Sequence, residues 1–176
     1  DISIPLPVSA LVGTLLSLLL AFRTSQSYER WWEARTVWGA IVNDSRTLIR
    51  QLSQFLPAHP GKSAIVLDFA ERQAIWCFAL GESLRRLPFS SRVSDYMEFN
   101  NVKGENIPNL LLNIHAGQMA GISEQFSMNA NKVVQIDSTI QRLTDSMGKC
   151  ERIKSTVFPR SYSLLIHFLI YALMTN

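Results

Sequence analysis

Residues 2 to 22, ISIPLPVSALVGTLLSLLLAF, contain no charged side chain, and no other feature of the chain restricts its fold as tightly. At about 1.5 Å per helical residue, such a run covers roughly the 30 Å hydrocarbon core of a bilayer, so it reads as a membrane helix. A secretory leader would also place an apolar run first. This one lacks a basic leader and a small-residue cleavage site, and it continues into a charged helical pattern. A second apolar run, Tyr162 to Met174, is shorter than a full span and reads as the start of a later membrane helix. The chain opens on Asp1 instead of Met. The expectation is therefore the central part of a longer membrane protein.

The flanks of the two runs set the orientation. Arg23, Arg30 and Arg35 follow the first, and Arg142, Lys149, Arg152, Lys154 and Arg160 precede the second. Positive charge close to both membrane segments predicts a cytoplasmic intervening region. The mean hydropathy of +0.09 then averages membrane-grade ends with a charged body. A hydrophobic content of 47% excludes disorder, and two distant cysteines, Cys77 and Cys150, exclude a disulfide scaffold and suit a reducing compartment. A net charge of +3, from 17 basic and 14 acidic residues, is too small an excess to indicate nucleic acid.

From Tyr28 the apolar positions become periodic, through Trp31, Val37, Trp38, Ile41, Val42, Leu48, Ile49, Leu52, Phe55 and Leu56. Spacing of three and four is that of an amphipathic helix, so one helix is expected to leave the membrane and continue to Leu56, where Pro57, Pro60 and Gly61 end it. A second helix is predicted from Lys62 to Leu87, with i,i+4 pairs Asp68–Arg72 and Glu82–Arg86, and Pro88 closes it. Phe89 to Pro108 reads as a connector with one short helix. Helical pattern returns over 109–130 and 132–147, the latter through Val133, Ile136, Ile140 and Leu143. No strand pattern competes, and the class is all-α. Three regions follow: residues 1–56, a membrane helix continuing as a cytosolic helix; 57–154, a cytosolic helical region; and 155–176, the start of a later membrane helix.

The residues for common catalytic and metal sites are not clustered. His59, His115 and His167 lie far apart, with no H-x-x-x-H or C-x-x-C spacing and no phosphate-cradling glycine loop. His59 reads as a loop residue beside prolines and His115 as a packed or capped helix residue. His167 stands inside an apolar run, where an ionisable group requires a partner, and a role between helices is open to it. Carboxylate pairs such as Asp68 with Glu71 lack a converging base and nucleophile, so no enzyme, metal or cofactor is expected.

The most informative stretch is FRTSQSYERWWEARTVWG, residues 22 to 39. Tyr28, Trp31 and Trp32 suit a membrane interface, and Glu29 and Glu33 can pair with nearby arginines. The combination of Phe22-Arg23, Tyr28, Arg30, Trp31, Glu33, Arg35 and Trp38-Gly39 resembles the signature of the bestrophin family, especially its bacterial branch. GKCERIKSTVFPRSYSLLIH, residues 148 to 167, resembles a second block of that family leading into a later membrane helix with a histidine at His167. Val157 departs from the family's proline, and Arg160 stands where an apolar residue is usual.

The resemblance implies a pentameric ion channel with an axial pore in a bacterial plasma membrane, each subunit contributing several membrane helices and a helical cytosolic part. It places a narrow hydrophobic neck at Thr14, Leu18 and Phe22, whose i, i+4, i+8 spacing independently puts them on one helical face. Apolar rings of this kind gate by dewetting, and the smaller, polar Thr14 predicts a wider ring. Arg23 would ring the mouth of the neck, or pair with Glu29, Glu33 or a neighbouring subunit. A second constriction at the cytosolic exit is expected near Val133, Val134 or Ile136. The acidic calcium cluster of eukaryotic members does not occur in this sequence. The implied partners are four further copies, the lipid bilayer and monovalent ions, chloride or sodium. The alternative is a membrane-anchored helical scaffold that binds a cytosolic protein and conducts nothing.

Overall fold

The computed structural model describes residues 6–156 and 160–174, without the side chains of 6–9, 160, 172 and 173. All regular structure among them is helical: α1 (Leu6–Phe55), α2 (Lys62–Arg85), α3 (Ser91–Phe99), α4 (Ile107–Gln125), α5 (Ala130–Ser155) and α6 (Arg160–Met174). The chain divides into two compact units, one formed by Asp1–Thr36 with Ile153–Asn176 and the other by Val37–Arg152.

The helix ends of the second unit follow local chemistry. α1 stops before Pro57, and the Lys62 ammonium donates to the orphaned Leu56 carbonyl at 2.8 Å. At the end of α2, Arg86 turns left-handed at φ 55°, and the Arg86 and Leu87 amides donate to the Ser83 and Glu82 carbonyls. That arrangement satisfies carbonyls the helix itself leaves open. The Glu82 carboxylate, expected to pair with Arg86, instead accepts from the Ser90 amide at 3.0 Å and so anchors the start of α3. The Asn106 side chain caps α4 by accepting from the Asn109 amide, and Pro108 sits in the first turn, where its missing N–H costs nothing. α5 runs eight residues past its expected end at Met147, to Ser155, and carries Gly148, a residue that often ends a helix, within it.

The core of this unit is made by Ile41, Leu48 and Leu52 of α1, Phe69, Trp76 and Leu80 of α2, Val93 of α3, Leu111 and Leu112 of α4, and Ile136 and Leu143 of α5, all with little or no exposed surface. Each such side chain contributes about 1.5–3 kcal/mol of hydrophobic stabilisation. Polar ties fix the register of α1 and α5. The Thr139 hydroxyl donates to Gln51 Oε1 at 2.8 Å, and Arg142 Nε donates to Asp44 Oδ1 at 2.9 Å. Both cysteines are free, and burial pushes both thiols up from their ordinary value.

The first unit has the opposite surface. Leu11, Leu15, Leu18, Leu20 and Phe22 of α1, and Leu164, Leu165, Phe168 and Tyr171 of α6, are exposed, while Ile166 and Leu169 are buried. So much exposed apolar surface marks a lipid or protein contact region. Among the described residues, no helix is long and apolar enough to cross a membrane. The expected span, residues 2–22, begins among residues 1–5, outside the described residues, and its apolar run ends at Arg23. Val157 also lies outside them.

Candidate functional site

α1 carries Thr14, Leu18 and Phe22 on an uninterrupted stretch of helix, so the four-residue spacing places their side chains in one slowly drifting row. Leu18 and Phe22 are each 53% exposed, and Thr14 is exposed as well. The Thr14 hydroxyl donates to the Ala10 carbonyl at 2.9 Å. Ser17 and Thr24 make the same bond to Gly13 and Leu20. Hydroxyls absorbed into the backbone present mainly their carbon surface outward, which lowers the polarity of this part of the helix.

Below the row the helix becomes charged. Arg23 is exposed and engaged with other groups of the molecule. The Ser25 hydroxyl donates to Glu29 Oε1 at 3.5 Å, and the Arg30 guanidinium donates to the Ile153 carbonyl near the end of α5. Tyr28, Trp31 and Trp32 form a chain of tilted rings with centroid separations of 5.8 and 6.2 Å. On α6, exposed His167 engages the Ser163 carbonyl of its own turn through Nδ1 at 2.6 Å.

The three residues expected near a cytosolic exit separate by burial. Ile136 is 0% exposed and belongs to the packed core of the second unit, Val133 is half-buried, and Val134 is 65% exposed. Only Val134 presents a large apolar surface outward.

A largely buried polar cluster extends the Asp68–Arg72 pair expected from its i,i+4 spacing. Arg72 Nη2 donates to Asp68 Oδ2 at 2.6 Å, Nη1 to Gln118 Oε1 at 2.6 Å, and Nε to the Tyr96 hydroxyl at 3.0 Å. Gln118 Nε2 closes the circuit to Asp68 Oδ2 at 2.7 Å. His115 is fully buried, stacks on Phe69 at 4.9 Å, and faces Arg72 Nη1 with Nδ1 at 3.4 Å, while Nε2 has no hydrogen-bond partner among the described residues. Burial, with the Arg72 charge adding to it against a smaller opposing effect of Asp68, lowers its pKa to about 3, so the ring is neutral. These contacts join α2, α3 and α4. The sequence signal was the Asp68–Arg72 spacing alone, since Tyr96, His115 and Gln118 come from distant segments. Beside the cluster, Asp68, Glu71, Asp95, Arg92, Tyr96 and Phe99 line a cleft of about 550 Å³. Among the described residues, no group of three His, Cys, Asp or Glu side chains is placed to hold a metal ion.

Comparison with known proteins places these features in context. A family model described as bacterial/fungal bestrophin protein matches residues 1–175. A protein of Ralstonia nicotianae named voltage-dependent anion channel-forming protein is 32% identical, over 92% of this chain and 54% of its own length. A protein of the same descriptive name from a Nostoc species is 30% identical, over 93% of this chain and 55% of its own. The chain thus spans about half the length of the curated relatives it matches. Among solved structures, a bacterial bestrophin homolog from Klebsiella pneumoniae is similar with a TM-score of 0.85 at 23% identity, over 98% of this chain and 64% of the other. At that identity the likeness concerns the fold.

Proposed function

The chain belongs to the bacterial/fungal bestrophin family, and from that premise we propose that it forms part of one subunit of a homopentameric channel passing monovalent ions through an axial pore. Residues 1–56 then supply a pore-lining membrane helix that continues into the cytosol, 57–154 a cytosolic helical region, and 155–176 the start of a later membrane helix of a multi-pass protein in a bacterial plasma membrane. The relatives named as channel-forming proteins support a transport function. The observation that carries the reading is the row Thr14, Leu18 and Phe22, apolar toward the outside and unsupported by any core of its own.

Five copies of that row stack three rings down an axis. Water and ions lose solvation in a narrow apolar throat, so Leu18 and Phe22 form a dewetting gate, with a wider ring at Thr14. The exposed Val134 supplies the constriction at the cytosolic exit. The remaining leucines of α1 and the apolar surface of α6 face lipid or neighbouring helices, which accounts for hydrophobic exposure that an isolated domain would not tolerate.

The test is stoichiometry coupled to flux. The full-length protein, purified in mild detergent, should have the mass of five subunits, and after reconstitution into liposomes it should release trapped chloride or sodium down a gradient. A monomer or dimer without flux would overturn the channel reading and favour the membrane-anchored scaffold.

A further inference from the structure

Resting on that reading, we propose that Glu29 lines the pore on the cytosolic side of the neck and that its five-fold carboxylate ring biases passage toward cations. The argument is one of helical register. α1 is continuous from Leu6 to Phe55, and Glu29 stands seven residues beyond Phe22 and eleven beyond Leu18. At 3.6 residues per turn both offsets return within about 20° of the starting direction. Whatever direction Phe22 and Leu18 face, Glu29 therefore faces as well, about two turns lower.

The basic residues of the same stretch do not share that direction. Arg23 and Arg30 follow Phe22 by one and eight positions, which turns them about 80–100° to the side. Arg30 is further committed by its hydrogen bond to the Ile153 carbonyl. Glu29 is exposed, and its carboxylate accepts from Ser25, a neutral hydroxyl one turn above on the same face. A neutral partner leaves its negative charge in place. The unit's sequence therefore puts carboxylate on the neck face and guanidinium on the flanks.

An apolar neck imposes no preference of sign, so the nearest fixed charges on its face decide which ions accumulate at its mouth. Rings of acidic side chains favour cations, and five carboxylates around one opening raise local cation concentration while repelling anions. This opposes the ion class in the names of the curated relatives, and the opposition makes it decidable.

The experiment is a reversal-potential measurement on full-length protein in planar bilayers under a sodium chloride gradient. The wild type should be cation-preferring, and Glu29→Gln should lower the sodium-to-chloride permeability ratio by about threefold or more. Glu29→Asp, which keeps the charge, should retain the preference if the glutamine variant fails to assemble. Glu124→Gln, an exposed acid on α4, should change nothing. A conducting pentamer with the same ratio in wild type and Glu29→Gln, or an anion-preferring wild type, overturns the inference and leaves the channel reading standing. A wild type that neither assembles as a pentamer nor conducts overturns both.

Discussion

His115 shows how far a single side chain is governed by its surroundings. Its ring is enclosed, stacked on Phe69 and set beside the Arg72 guanidinium, so a second positive charge there is strongly disfavoured, and its pKa falls to about 3. In the unfolded chain the same group titrates near 6.5. The unfolded state therefore binds the proton first as pH falls. The stabilisation is complete above pH 6.5 and is lost progressively between about 6.5 and 3. His115→Phe, which keeps an aromatic ring against Phe69, should flatten the pH dependence of thermal unfolding across that window, with the largest gain over wild type at its acidic end. An unchanged pH profile would mean that His115 is not held neutral. The sequence reads His115 as a packed or capped helix residue, and of the two it is packed. Its partners were not legible, because Phe69, Arg72 and His115 meet only through the packing of α2 on α4.

At the scale of helices, residues 130–147 show what periodicity conveys. Val133, Ile136, Ile140 and Leu143 satisfy one helical stripe, and the structure buries Ile136, Ile140 and Leu143 on it. Val134 is out of phase with that stripe and is exposed. The spacing alone separates Val134 from that stripe, which Val133 and Ile136 share. Ile136→Ala should cost about 2–5 kcal/mol through the cavity it leaves, read as a large drop in thermal stability. Val134→Ala should leave stability within about 0.5 kcal/mol, as for exposed positions generally, and should widen the cytosolic exit and raise flux. Equal destabilisation by both would contradict this assignment of faces. Helix ends were legible where proline punctuates the chain, as at Pro57 and Pro88, whereas the cap at Asn106 lies inside the stretch that reads as a connector. The expected end of α5 at Met147, just before Gly148, falls short of the helix, which continues through that glycine to Ser155.

For the whole molecule, the two compact units differ in where they put their apolar side chains. Val37–Arg152 buries its apolar residues in a core of its own, whereas the unit that includes Asp1–Thr36 displays them. That contrast was readable from the uncharged run and the charged body that follows it. The family was legible too, because the stretch from Phe22 to Gly39 combines aromatics, both charge signs and glycine in an unusual order. A ring of subunits is not written in one chain's periodicity, because spacing of i, i+4 and i+8 marks any exposed helical face, and the pore reading draws on the family signature as well as on the row. The proposal that the row is a gate is tested most directly by flux through liposomes containing the full-length protein with Leu18→Ala and Phe22→Ala. Replacing the bulky rings by methyl groups widens and wets the throat, so flux should rise by about tenfold over wild type at equal protein content. Flux indistinguishable from wild type in the double variant would contradict the gate.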